Sequence, residues 1–271
     1  MESRGETPYG GTPWWRTLAL RAHLLCFPPG CRSCGRLMNP LASTRPGFPY
    51  LCEDCFAALP WKYQARSCPR CYAWTPEPEA GDRPDCAGRG LAVERVRAAC
   101  FYDDPVRRWM WGLKYNRVTA LSHTLGALLA AHGPAADVLT DADAVVPVPL
   151  HPRRLRQRGF NHAHLLAHDW LRHLRGKGIP TPPLFPDVLR RTRHTPPQAS
   201  LPAGRRRDGV TGAFAVAEAH AAVGDGSSRV AGWRVVLVDD IMTTGATVDA
   251  CARALLHAGA DRVDAVVLAR A

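Results

Sequence analysis

The sequence predicts an α/β protein: a mainly parallel sheet flanked by helices, preceded by a small cysteine-rich module. Three observations carry this. The C-terminal run reads as strand (Arg234 to Val238), turn, helix (Thr247 to Ala258) and strand (Val263 to Ala269), a βαβ unit whose strands lie parallel. From Ala98 onward apolar residues recur at helical spacing. Val106, Trp109, Met110 and Leu113 fall at i, i+3, i+4 and i+7 behind Pro105, a residue suited to the first turn of a helix. Eight of the ten cysteines lie within residues 26–95, among many prolines and only short apolar runs, so this part cannot build a large core of its own.

A length of 271 residues with 46% hydrophobic content supports one or two domains. The expected division is a tail and short helix over 1–25, the cysteine module over 26–95 and the α/β domain over 96–271. Within that domain a second helix is expected from Ala120 to His132, a short strand from Ala144 to Val148, and a helix from about Asn161 with Leu165, Leu166 and Trp170 as its apolar stripe. The apolar stretch from Trp14 to Phe27 is interrupted by Arg16, Arg21 and His23 and is too short to cross a bilayer. Together with the cysteine usage this predicts a cytoplasmic chain with no membrane span. The net charge of +11 comes mainly from arginines at Arg153 to Arg158, Arg190 to Arg193 and Arg205 to Arg207. Such a balance fits phosphate-bearing partners, a small ligand or nucleic acid, and fits a solubilising surface as well.

The most informative stretch is Val235 to Thr247, VVLVDDIMTTGAT. An apolar strand delivers Asp239 and Asp240 at its C-terminal end, the edge at which open α/β sheets bind ligands. The turn Thr243, Thr244, Gly245, Ala246 and Thr247 then opens a helix. Its N–H groups, its hydroxyls and the positive end of the helix dipole suit a phosphate, and Gly245 permits a close backbone approach. Ionised carboxylates accept from hydroxyls, so an acidic pair beside a phosphate cradle reads as a site for a phosphorylated sugar.

The cysteines fall into pairs. Cys31-x-x-Cys34 and Cys52-x-x-Cys55 have zinc-ribbon spacing, and four thiolates make a closed tetrahedral site for a structural Zn²⁺. Cys68-x-x-Cys71 opens a second set answered by Cys86, but Arg89 stands where a fourth cysteine is expected, leaving three ligands for a second metal.

VVLVDDIMTTGAT resembles the fingerprint of type I phosphoribosyltransferases. The resemblance implies that Asp239 and Asp240 hold the ribose of phosphoribosyl pyrophosphate (PRPP) and that Thr243 to Thr247 hold its 5′-phosphate. The stretch VVPVPLHPRRLRQRGFN (Val145 to Asn161) then corresponds to the pyrophosphate loop, with Pro149, Leu150, His151, Arg153, Arg154 and Arg158 as its binding residues. Arginine suits that task because its planar fork pairs with phosphate and stays charged. The long polar segment from Arg191 to Phe214 resembles the flexible hood of this fold, with Gln198, Arg206 and Arg207 as candidates there; a disordered basic linker is the bland alternative to this functional reading. The implied chemistry is displacement of pyrophosphate from C1 of PRPP by a nitrogen nucleophile, with Mg²⁺ accompanying PRPP and no residue evidently committed to an acceptor.

The cysteine ribbon, VPVPLHPRRLRQRGFN, a TPPQ segment and LVDDIMTTGAT follow one another in that order, with Leu113-Lys114-Tyr115 between. This resembles the ComF (ComFC) competence family over nearly the whole chain. The resemblance implies a double zinc ribbon fused to a type I phosphoribosyltransferase domain, from which Arg89 departs in the second ribbon. It also implies a role in bringing transforming single-stranded DNA into the cytosol, with single-stranded DNA and a competence or helicase protein as partners. The alternative is an active transferase of nucleotide metabolism acting on an unidentified nitrogen acceptor.

Overall fold

The valine-rich run after Trp233 forms the centre of a four-stranded parallel sheet. The computed structural model describes residues 18, 30–38, 51–61, 67–73, 90–193, 212–221 and 228–271. The chain falls into two compact units, residues 1–58 and 59–271. The tail helix expected around Trp14 to Leu25 lies outside the described residues except for Leu18, which is helical.

In the second unit the sheet consists of β1 (Val96–Phe101), β2 (Ala144–Pro147), β5 (Arg234–Met242) and β6 (Arg262–Arg270), in the order β1-β6-β5-β2 with all three pairings parallel. Leu184 extends it past β2 through a parallel bridge to Val145. A separate antiparallel ribbon joins β3 (Leu189–Arg191) to β4 (Phe214–Val216). Central parallel strands are covered on both faces, which is why β5 and β6 read as continuous Val, Leu and Ala runs rather than alternating ones. The sheet was expected, but β5 is longer than the sequence predicts: it continues through Asp239 and Asp240 to Met242, because Asp239 and Ile241 still pair in register with Val267 and Ala269 on β6.

In chain order the helices are α1 (Glu53–Ala57), in the first unit, then α2 (Val106–Tyr115), α3 (Leu121–Ala131), α4 (Gly133–Asp137), α5 (Pro152–Arg158), α6 (His162–Gly176) and α7 (Ala246–His257). Helix α2 buries Val106, Trp109, Met110 and Leu113, the four residues at the predicted spacing. Asn161 caps α6, its side-chain oxygen accepting from the Ala163 N–H at 3.0 Å. Helices α3 and α6 pack against each other and against β1, β2, β5 and β6, whereas α7 packs on β4, β5 and β6. Where α3 crosses α6 the backbones approach so closely that a Cβ on Gly126 would stand 2.7 Å from Trp170 N. The residues around α7, including Val248, Cys251 and Leu255, share one core with Val235 and Leu237 of β5 and with Cys68, Cys71 and Tyr72. No helix among the described residues is long and apolar enough to cross a membrane.

Two elements differ from the sequence expectation. The arginine-rich stretch after Pro149 is not all loop: Arg153, Arg154 and Arg158 lie on α5, which starts at Pro152 and stops at Gly159, a left-handed residue with φ 86°. The ends of the long basic segment are paired as strands, with Arg191 opposite Phe214 and Thr192 N–H donating to the Ala213 carbonyl at 2.9 Å.

Candidate functional site

β5 carries both acidic residues to the end of the sheet. Asp239 and Asp240 are buried, and the backbone fixes part of each: Asp239 Oδ1 accepts from Asp240 N–H at 2.8 Å and Asp240 Oδ1 from Ile241 N–H at 2.9 Å. Asp240 Oδ2 meets the ammonium of Lys114, near the end of α2, and His162 Nε2, at the start of α6, at 3.5 Å. His162 Nδ1 lies 2.7 Å from Arg158 Nη1. A guanidinium can only donate, so Nδ1 accepts and the proton of a neutral His162 resides on Nε2, facing Asp240. Arg158, Tyr115 and Trp111 continue outward, the guanidinium 5.6 Å from the Tyr115 ring centre and the two rings 4.7 Å apart.

The electrostatics divide the pair. Burial, joined by the charge of Asp240, raises the Asp239 carboxyl well above the usual range. Burial acts on Asp240 in the same sense, but Lys114 and His162 outweigh it and hold Asp240 far below that range. Burial lowers Lys114, yet Asp240 overcomes it and keeps the ammonium charged; burial likewise lowers His162 and keeps it neutral. The centre therefore holds one carboxylate and one ammonium, with Asp239 as the carboxyl that accepts a proton more readily.

Directly after β5 the chain turns through Thr243, Thr244 and Gly245 into α7. Gly245 has φ 84°, a left-handed conformation, and a Cβ there would meet Met242 Cε at 2.6 Å. Ala246 and Thr247 begin α7, a full-length helix whose N-terminal N–H groups face the end of the sheet. The turn is held from behind. Arg270, buried at the end of β6, donates from Nη1 to the Met242 carbonyl at 2.9 Å and also to the Thr243 carbonyl. Asp249 on α7 accepts from Ala92 N–H at 2.6 Å.

The residues assigned to the pyrophosphate loop split. Pro149 and Leu150 follow β2, and His151 caps α5 by accepting from Arg153 N–H at 3.2 Å. Of the arginines, Arg158 reaches the acidic pair through His162, while Arg153 is exposed. An open groove of about 450 Å³ runs beside them, lined by Leu150, Leu155, Phe160, Leu165, Arg190 and Arg191. It joins the predicted pyrophosphate loop to the base of the predicted hood. Gln198, Arg206 and Arg207 lie outside the described residues.

Lys114 and His162 have no place among the residues expected from the motif. Leu113-Lys114-Tyr115 marks the resemblance without a role, and His162 begins one residue beyond the basic stretch. A lysine directly after the buried Leu113 was the available signal.

The first unit holds the four cysteines Cys31, Cys34, Cys52 and Cys55 with their sulfur atoms within 4.8 Å of one another. Cys31 N–H donates to the Arg36 carbonyl at 2.8 Å and Gly35 N–H to the Cys31 carbonyl at 2.9 Å, a tight knuckle with Gly35 at φ 74°. Burial opposes ionisation of Cys31, but N–H groups of Cys52, Cys34 and Ser33 bring it down to about 6. Burial, with the neighbouring sulfurs, pushes Cys55 up to about 12. Thiols this close cannot all ionise without a cation, and the donor set fits a tetrahedral metal ion.

Cys68 and Cys71 repeat the knuckle. Cys68 N–H donates to the Ala73 carbonyl at 2.8 Å and Tyr72 N–H to the Cys68 carbonyl at 3.0 Å, with Tyr72 at φ 56° in the position of Gly35. Cys86 lies outside the described residues.

Residues 194–271 match the family described as Phosphoribosyl transferase domain. Over 227 residues, 83% of this chain and 86% of the other, the sequence is 28% identical to Competence protein F of Haemophilus influenzae. The chain is a homologue of Competence protein F that carries a phosphoribosyl transferase domain. The chain is also 29% identical to DNA utilization protein YhgH of Escherichia coli K12 over 81% of its length and 84% of the relative. Against the Salmonella typhi protein of the same name, it is 29% identical over 91% of its length and 99% of the relative. The parallel sheet flanked by helices and the four-cysteine cluster are the architecture expected from the sequence.

Proposed function

We propose that this ComF-type protein binds PRPP, or a ligand sharing its phosphorylated ribose, and acts in the handling of incoming single-stranded DNA. The observation that carries the first part is the junction of β5 and α7: a buried acidic pair followed five residues after Asp240 by a left-handed glycine at a helix N-terminus. The ribose hydroxyls donate to Asp239 and Asp240, and the 5′-phosphate accepts from the N–H groups and hydroxyls of Thr243, Thr244, Gly245, Ala246 and Thr247. The diphosphate is held by Pro149, Leu150 and His151 with Arg153, Arg154 and Arg158, and Mg²⁺ arrives on that diphosphate. Gln198, Arg206 and Arg207, the hood candidates outside the described residues, are proposed ligand contacts.

The DNA part rests on the relatives named for competence and DNA utilization and on the net charge of +11. A competence or helicase protein is the proposed macromolecular partner, and the cytoplasm the proposed compartment. Cys31, Cys34, Cys52 and Cys55 hold a structural Zn²⁺, which contributes folding energy to a unit with a small core. Cys68 and Cys71, with Cys86, are the candidate ligands of a second. The proposed domain division is a tail over 1–25, a cysteine module over 26–95 and the transferase-type domain over 96–271. One observation favours a transferase reaction in addition: the groove beside the pyrophosphate loop offers room for an acceptor.

PRPP with Mg²⁺ raises the melting temperature of the wild-type chain, and the Asp239→Asn, Asp240→Asn double variant abolishes the rise. A wild-type chain with no shift at millimolar PRPP refutes the reading. Pyrophosphate release with a panel of nitrogen bases separates a transferase from a binding protein.

A further inference from the structure

The acidic pair raises the question of which cation accompanies it. His162, Asp239 and Asp240 bring one nitrogen and two carboxyl oxygens within 4.8 Å of one another, the dimensions of a cation site. Magnesium requires near-octahedral oxygen ligation. Here one donor is an imidazole whose Nε2 carries the proton, and the Asp240 oxygen is already against an ammonium. The residues therefore do not fit a divalent ion bound directly to the pair.

We propose that Lys114 is the permanent counter-ion of the acidic pair and a direct contact for the phosphorylated ligand, so that a divalent metal enters only as part of the ligand. This rests on the phosphosugar reading of the site. Three features support it. Lys114 is fixed near the end of α2, whose apolar face is buried through Val106, Trp109, Met110 and Leu113, so the ammonium is held by the core rather than by a mobile loop. Its side chain is 18% exposed and Asp240 is 7% exposed, so the pair is shielded from solvent and the attraction is strong. Asp240 is committed on both oxygens, Oδ1 to Ile241 N–H and Oδ2 to Lys114 and His162, whereas Asp239 has only its Oδ1 engaged by the backbone.

A division of labour follows. Asp239 Oδ2 is the more open acceptor for a ribose hydroxyl, and Asp240 accepts a second one only through the remaining lone pairs of its engaged oxygens. An ammonium has three donors and Asp240 takes one, which leaves Lys114 N–H groups for an oxygen of the ligand. A divalent ion at Asp240 would sit within a few ångströms of that ammonium and be repelled by it.

The test uses the full-length chain in buffer without added divalent ions or chelator, so that cysteine-bound metal is undisturbed. Free Mn²⁺ is followed by electron paramagnetic resonance during titration of wild type, Lys114→Met and Lys114→Met with Asp240→Asn. Lys114→Met gains one Mn²⁺ site that wild type lacks, and the added Asp240→Asn removes it; misfolding cannot produce such a gain. Equal Mn²⁺ binding by wild type and Lys114→Met overturns the proposal. Ribose 5-phosphate supplies the second readout. It shifts the wild-type melting temperature equally with and without Mg²⁺, and binds Lys114→Met about 10- to 100-fold more weakly, the loss of one charged hydrogen bond. A wild-type shift that requires Mg²⁺ also overturns the proposal. If ribose 5-phosphate binds neither protein, the phosphosugar reading and the ligand-contact half of the proposal fail together, and the Mn²⁺ titration decides the counter-ion half independently.

Discussion

Arg270 Nη1 donates to the Met242 carbonyl at 2.9 Å, tying the end of β6 to the start of the turn between β5 and α7. The same guanidinium donates to the Thr243 and Ala271 carbonyls and, from Nε at 3.4 Å, to the carbonyl of Cys71 in the second cysteine knuckle. One buried side chain thus satisfies carbonyls from the turn, the C-terminal strand and the knuckle. Arg270→Met removes this donor from the Thr243 and Cys71 carbonyls, while the Met242 carbonyl keeps the Ala271 N–H at 3.0 Å, and each buried carbonyl left without a partner costs about 1–3 kcal/mol. The expected fall in unfolding free energy is about 2–4 kcal/mol, read by urea unfolding with tryptophan fluorescence. Arg270→Lys restores only part of it, since an ammonium lacks the fork that spans the set. A variant as stable as wild type removes Arg270 from this role.

A second prediction concerns pH. His132 is buried, its Nε2 lies 3.0 Å from the Tyr72 hydroxyl, and burial, assisted by the charge of Arg97, lowers its pKa from 6.5 to about 4. The folded chain therefore holds this proton less tightly than the unfolded chain, so stability rises with pH between the two values. The contribution is complete above about pH 6.5 and is lost as pH falls toward 4, amounting to roughly 3 kcal/mol at most. Burial lowers His162, His164 and His173 as well, in the same sense. His132→Gln keeps a partner for Tyr72 but cannot titrate. Its melting temperature should fall less steeply than that of wild type between pH 6.5 and 4.5, and parallel profiles would count against a neutral His132.

How far these features were legible depends on their range in the chain. The junction of Asp239, Asp240 and Gly245 is local, thirteen residues from Val235 to Thr247, and the strand, turn and helix follow from neighbouring residues. Helix α2 announced itself through the spacing of Val106, Trp109, Met110 and Leu113. Strand β1 did not, because VRAACF carries charge and alanine where a strand pattern shows branched residues. Helix α5 was hidden by the prolines around it and by an arginine run that reads as loop. Strands β3 and β4 are three residues each, too short for any period to register. The meeting of Lys114, His162 and Asp240 joins α2, α6 and β5, and a contact between distant elements leaves no mark on local pattern.

Two glycines separate stability from ligand binding. At Gly126 an added Cβ would stand 2.7 Å from Asp169 Cβ and from Trp170 N, where a packed helix cannot give way. Gly126→Ala should destabilise the chain by about 1–3 kcal/mol. At Gly245 the obstacle is Met242 Cε, the end of a flexible side chain, together with the left-handed φ of 84°. Gly245→Ala should cost about 1–2 kcal/mol yet abolish the PRPP-induced rise in melting temperature, because relief of the Met242 contact and of the left-handed φ shifts the N–H groups of the turn. Gly126→Ala should retain that rise. Denaturant titration with and without PRPP measures both, and a Gly245→Ala chain that binds PRPP normally would remove the turn from the site.

The final prediction concerns metal. Cys34 Sγ lies 3.8 Å from Cys52 Sγ, and the Cys31 sulfur accepts from Cys52 N–H at 3.5 Å, an arrangement that favours a thiolate. Four such sulfurs held together repel one another as they ionise, and a bound Zn²⁺ would offset that repulsion; structural sites of this type contribute on the order of 10 kcal/mol. The chain purified without chelator should carry zinc, and Cys31→Ser should lower the content by one equivalent with loss of structure in the first unit. The knuckle at Cys68 and Cys71 belongs to the second unit and packs into its apolar core, so Cys31→Ser should leave the PRPP-induced shift in place. Elemental analysis beside the thermal shift distinguishes the two knuckles. Undiminished zinc in Cys31→Ser would refute this ligand set, and loss of the PRPP response would show that the two units depend on each other.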